Sequence, residues 1–116
     1  MKETLVSLRK NREFRRVYKS GRRVSFSYGT VFFQRNSLPY NRFGFSVSKK
    51  VGGSVCRHRV KRLFFESLRR QNKDIAQGYD IVINAKKSAA GMDYHSCFRE
   101  MEKVMRRQRM LIEKKG

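Results

Sequence analysis

The chain has 116 residues, with 29 Lys or Arg against 9 Asp or Glu and a net charge of +20. That imbalance makes a compact state repel itself and points to a polyanionic partner. A hydrophobic fraction of 39%, nine Phe, five Tyr and a single Pro exclude a disordered basic tail, and no apolar run is long enough for a membrane span.

The length suits one domain over 1–116 with one modest core. The first residues, MKETLVSLRKNREF, have no apolar segment or cleavage pattern, so they do not read as a secretory signal. Residues 11–19 read as a short helix. Asn11 is the expected N-cap, Phe14, Val17 and Tyr18 share a face, and Gly21 is the expected left-handed stop. Residues 24–28 read as the less distinct part of a first strand. Residues 29–34 and 43–48 read as strands, expected to pair across a turn at 36–41 that holds the only Pro. In the second of these, Phe43, Phe45 and Val47 alternate with Gly44, Ser46 and Ser48. One face is therefore buried and the other small and polar.

Gly52 and Gly53 break the pattern, and a helix is expected over 55–70. Residues 78–80 read as a turn, and Ile81, Val82 and Ile83 as a central, apolar strand. The last helix is expected over 93–111, with Cys97, Met101, Val104, Met105 and Gln108 at helical spacing. The order α-β-β-β-α-β-α predicts an α+β two-layer sandwich, with one mixed sheet and helices packed on it. The strand–helix–strand step through 55–70 would by the general rule cross over right-handed.

That helix carries most of the argument. Cys56, Val60, Leu63, Phe64 and Ser67 fall on one face and are expected to dock on the sheet. Lys49, Lys50, Arg57, Arg59, Lys61, Arg62, Arg69 and Arg70 surround a single acid, Glu66. A merely solvated helix interleaves Glu with Lys, and this one does not. A helix in a major groove would suit DNA. Phe14, Tyr18, Tyr28 and Phe32, interleaved with Arg, suit unstacked single-stranded bases instead, which favours RNA. The bland reading of each aromatic is core packing, which is accepted for Phe43 and Phe45. Phe32 sits between Val31 and Phe33, so one of the two faces of that strand carries an aromatic that need not be in the main core.

No set of acids has the spacing of a two-metal nuclease site. His58 and His95 have no acidic partner nearby in sequence for general-base work. Cys56-Arg57-His58 and His95-Ser96-Cys97 put residues two apart on helices, where they diverge, and match no zinc spacing. The two cysteines read as reduced thiols. KKVGGS lacks the GK[ST] of a P-loop, although the helix start after it suits a phosphate. The residues predict binding, with no protein catalytic residue and no protein metal site.

SVSKKVGGSVCRHRVKRL, at 46–63, resembles the signature of the protein subunit of bacterial ribonuclease P, whose pattern runs SVSKK-(I/V)-GNAV-x-RNR-(V/I)-KR. LRKNREFRRVYKSGRRV, at 8–24, and GYDIVINAKKSAAGMDYHSCFREM, at 78–101, resemble the same family in the right order. The resemblance implies an RNA catalyst that removes the 5′ leader of precursor tRNA, using Mg²⁺ bound mainly by RNA. The protein helps hold the substrate, is expected to act as a monomer in the ribonucleoprotein, and is cytoplasmic.

Carried across by position, the motif implies RNA contacts at Lys49, Lys50, Arg57, His58, Arg59, Lys61 and Arg62. Phe65 and Arg69 lie on the same outward surface. The leader cleft of the family, between the first helix and the sheet, matches Phe14, Tyr18 and Phe32. The family also implies a left-handed crossover, against the general rule. Three residues depart from its pattern: His58 and Gly53 each replace an Asn, and Phe65 stands where many members have Arg. The alternatives are an RNA-binding module without a nuclease role, such as a ribosomal protein or RNA chaperone, and a membrane-active cationic protein. The first leaves the ordered motif blocks unexplained. The second needs an unused apolar helix face.

Overall fold

A computed structural model describes residues 5–112; Glu3 and Glu113 lie outside them. The elements run β1 (Val6–Ser7), α1 (Asn11–Ser20), β2 (Arg22–Phe26), β3 (Gly29–Arg35), β4 (Arg42–Ser46), α2 (Ser54–Gln71), β5 (Tyr79–Ala85) and α3 (Tyr94–Arg107). The five strands form one mixed sheet in the order β1-β4-β5-β3-β2. The expected α+β class and single mixed sheet hold.

The expected pairing of β3 with β4 does not. β5 lies between them, parallel to β4 and antiparallel to β3. Its Ile81, Val82 and Ile83 are all fully buried, which explains their unbroken apolar run: a central strand covered on both faces has no solvent side to mark with polar residues. Two-residue β1, parallel to β4, is too short for any periodicity to reveal.

Alternate residues along the strands feed two cores. Val31, Phe33, Phe43, Ile81 and Ile83 join Val60, Phe64 and Leu68 of α2 and Cys97, Met101, Val104 and Met105 of α3 in the main cluster. On the other face, Phe32 and Val82 join Leu8 and Val17 in a smaller one, with Phe14 packed against it. α1 therefore adds a partial third layer to the expected two. It also explains the glycine of β4. A Cβ on Gly44 would stand 2.5 Å from Phe14 Cε1, so the face predicted to be small and polar is small because a helix sits on it.

Helix ends differ from expectation. Lys10, not Asn11, is the N-cap of α1. The Glu13 carboxylate supplies the capping interaction, accepting from the N–H groups of Arg9 (3.0 Å) and Lys10 (2.9 Å). These bonds, with nearby Arg42, hold its pKa below the ordinary value. Gly21 is extended, with φ −78° and ψ 153°. It is required there by close approach, since a Cβ would meet the carbonyl oxygen of Val17 at 2.4 Å. α3 stops at Arg107, short of 111, where Arg109 turns left-handed (φ 57°). The chain then bridges back from Leu111 to Ile75.

Candidate nucleic-acid interface

Two surfaces flank the sheet, one on the face that α1 covers and one along α2 on the other. The first lies beside α1. An ion-pair network sets its position: Arg42 of β4 donates to both oxygens of Asp80 on β5 (2.8 Å each) and to Glu13 of α1 (2.7 Å). Asp80 is 1% exposed and also accepts from Asn36 Nδ2 at 2.9 Å. A buried carboxylate is tolerated only with such partners. The arrangement clamps the start of α1 to the sheet.

The clamp presents an aromatic run. The Phe14 and Tyr18 rings lie 6.4 Å apart, and Tyr18 meets Phe32 edge-on at 5.0 Å. Tyr18 is exposed, while Phe32 is 9% exposed beneath it. Its hydroxyl donates to Asn84 Oδ1 (2.8 Å), and the Arg23 guanidinium lies 5.9 Å from the Phe32 ring. Beyond Tyr18 the strand registers line up Ser46, Asn84, Thr30 and Ser25 across four strands. This row is a small, polar floor. Lys86 stands over its far end, donating to Ser25 Oγ at 2.8 Å. A flat polar floor, an exposed tyrosine beside half-buried Phe14, and flanking cations suit a single strand that stacks bases and tracks phosphates.

The fourth sequence candidate on this side, Tyr28, is placed elsewhere. It packs against the main cluster, edge-on to Phe26 at 6.5 Å, and does not join Phe14, Tyr18 and Phe32.

The second surface is α2. Its buried stripe runs through Val60, Phe64, Ser67, Leu68 and Gln71, with Cys56 and Leu63 half-buried at the margin. The stripe thus extends past Ser67 to Leu68 and Gln71. Gln71 donates to the Phe98 carbonyl of α3 (2.9 Å). Lys49, Lys50, His58, Lys61 and Arg62 are exposed, and none makes a hydrogen bond or ion pair among the described residues. Arg57 is half-buried, with Nε lacking a partner. Two of the candidate cations are engaged by the protein. Arg59 donates to the carbonyls of Met92 (2.6 Å) and Ala90 (3.3 Å), and so pins the turn that leads into α3. Arg69 pairs with Glu66 at 2.8 Å. Gly53, the N-cap of α2, supplies no side-chain acceptor, which leaves the first N–H groups open to an anion.

Among the described residues no three His, Cys, Asp or Glu group as a metal site. Cys97 is buried beside Ser67 at 3.5 Å, and burial pushes its thiol up to about 11, which makes it an inert core residue. Two parts of the α1 surface escaped sequence reasoning. The polar floor was signalled by the residues that alternate with the core positions of β3, β4 and β5. The Arg42–Asp80 pair spans 38 residues and has no local signal.

The ribonuclease P family model matches residues 3–109. The ribonuclease P protein component of Caldanaerobacter subterraneus subsp. tengcongensis is 42% identical, covering 98% of each chain. That of Natranaerobius thermophilus is 45% identical over 92% of this chain and 93% of its own. The solved RNase P protein of Staphylococcus aureus superposes with a TM-score of 0.84 at 28% identity, covering 93% of this chain and 99% of that one.

Proposed function

This chain belongs to the ribonuclease P protein family and is a protein subunit of ribonuclease P, and from that premise we propose that its two surfaces hold two different RNAs. The exposed cations of α2, with Lys49 and Lys50, bind the catalytic RNA. The α1 cleft takes the single-stranded 5′ leader of precursor tRNA, stacking leader bases on Tyr18 and Phe14 over the polar floor. Phe32 supports Tyr18 from below.

Hydrolysis belongs to the RNA, with Mg²⁺ held mainly by RNA. The protein acts by placing the leader and by neutralising phosphates that would otherwise repel one another. No helix among the described residues is long and apolar enough to cross a membrane, and the protein works as a monomer in a cytoplasmic ribonucleoprotein.

One observation carries this reading. Lys49, Lys50, Lys61 and Arg62 are all exposed, with no carboxylate partner among the described residues, whereas Arg42 on the α1 side is fully paired. The test is reconstitution. Mixed with a bacterial ribonuclease P RNA at low Mg²⁺, the chain is expected to restore accurate 5′ cleavage of precursor tRNA. No rescue, alongside ordinary binding to unrelated RNAs, would leave it an RNA-binding module without a nuclease role.

A further inference from the structure

His58, Lys61, Arg62, Phe65 and Glu66 recur at i, i+3, i+4, i+7 and i+8, so they form one stripe along α2. The stripe leans over Phe45 of β4, and the six residues line an open surface depression of about 380 Å³. That lies within the range of small-molecule sites, roughly 300–1,000 Å³. β1 pairs only with Arg42 and Phe43, so no strand among the described residues covers the outer side of Phe45. Phe45 is half-buried and nearly parallel to buried Phe64, with centroids 6.3 Å apart and planes 6° apart, which fixes its orientation. Phe65 is half-buried and has no aromatic partner among the described residues.

Glu66 does not suit a surface that only gathers phosphate. It is the one carboxylate between Lys49 and Arg70. Arg69 binds its Oε2 through Nε (3.2 Å) and a terminal nitrogen (2.8 Å), and no donor among the described residues reaches Oε1. The carboxylate is thus held at the rim of the depression with an acceptor free. Two aromatic rings, a cationic rim and a free acceptor match a nucleotide whose base is out of its stack. The carboxylate also ranks the bases. Guanine offers two N–H donors, at N1 and N2, on one edge. Uracil offers one, flanked by carbonyl oxygens that a carboxylate repels.

We infer that this slot takes one unstacked base of the RNA bound by α2, guanine in preference to uracil, with the adjoining phosphate on Lys61 and Arg62. The inference rests on α2 being an RNA surface and is specific to the Phe65 that stands in the motif helix here. Aromatic-ring NMR of the whole chain, titrated with GMP, UMP and ribose 5-phosphate, tests it. GMP is expected to shift Phe45 and Phe65 saturably and about 5-fold more tightly than UMP, while ribose 5-phosphate leaves the rings unmoved. Glu66→Gln should narrow the GMP-to-UMP ratio, and Phe65→Tyr should retain the GMP shifts.

With ribonuclease P RNA, Phe65→Ala should weaken binding about 5- to 150-fold, as for one lost stack, with an unchanged salt slope. Equal ring shifts with ribose 5-phosphate, or a shallower salt slope for Phe65→Ala, would overturn the slot. Full activation of the RNA with Phe65→Ala binding unchanged would remove the slot and leave the proposed function. Saturable GMP binding without activation would support the slot and remove the function.

Discussion

The α1 face and the α2 face are both basic, yet only the α1 face has a buried acid that claims one of its arginines. On the α1 face Arg42 is spent within the protein, satisfying buried Asp80 and reaching Glu13 of the helix. On the α2 face the exposed cations have no acid to meet, and the only carboxylate is already shared with Arg69. A paired arginine locates an element, whereas an unpaired one awaits a partner. Residue type alone does not separate the two; the number of carboxylates within reach does.

The largest expected effect comes from breaking the internal pairing. Arg42→Ala leaves Asp80 buried without its cation and should cost about 3–5 kcal/mol of stability, measured by urea unfolding. A loss under 1 kcal/mol would mean that the clamp does not position α1.

Next comes the unpaired face. If about six phosphates are neutralised, log K for ribonuclease P RNA should fall with log salt at a slope of about −4 to −5. Arg62→Ala should make that slope shallower by about 1 and leave the melting temperature within a degree or two. A flat salt dependence for the native protein would contradict the electrostatic account of α2.

The smallest effect concerns Glu13. Its folded pKa is lowered, chiefly by the backbone N–H bonds of Lys10 and Arg9. The stability it contributes is therefore complete above its ordinary value of 4.5 and is lost as pH falls through the lower folded value. Glu13→Gln should remove that part of the acid dependence and leave stability above pH 6 lower by a near-constant amount. An unchanged acid limb would show that the carboxylate does not cap α1.

The same contrast explains what was legible in the sequence. α2 announced itself because its motif, its apolar stripe and its missing acids are all local. The alternation of Phe43 and Phe45 likewise marked the core face of β4, with Val47 buried just past its end. The role of Phe45 was only half visible, since its alternation shows burial but not the open side under α2. The α1 face was harder to read. Gly44 is small because of Phe14, thirty residues earlier in the chain, and the pairing of β4 with β5 is a choice among strands that no single strand's pattern decides. The stop of α3 lacks the usual glycine, because Arg109 itself takes the left-handed turn. Resemblance to the ribonuclease P proteins supplied the leader cleft as an expectation. Tyr28, added from its residue type alone, packs against the other core.

The division of labour between the faces is tested most directly by comparing reconstituted holoenzymes for precursor tRNA with a leader and for mature tRNA. Tyr18→Ala should weaken leader-bearing substrate by about 5- to 150-fold, the cost of one stacked base, and leave mature tRNA nearly unchanged. Arg62→Ala should weaken assembly with the RNA without altering that ratio. Equal losses for both substrates with Tyr18→Ala would contradict the assignment of the leader to the α1 cleft.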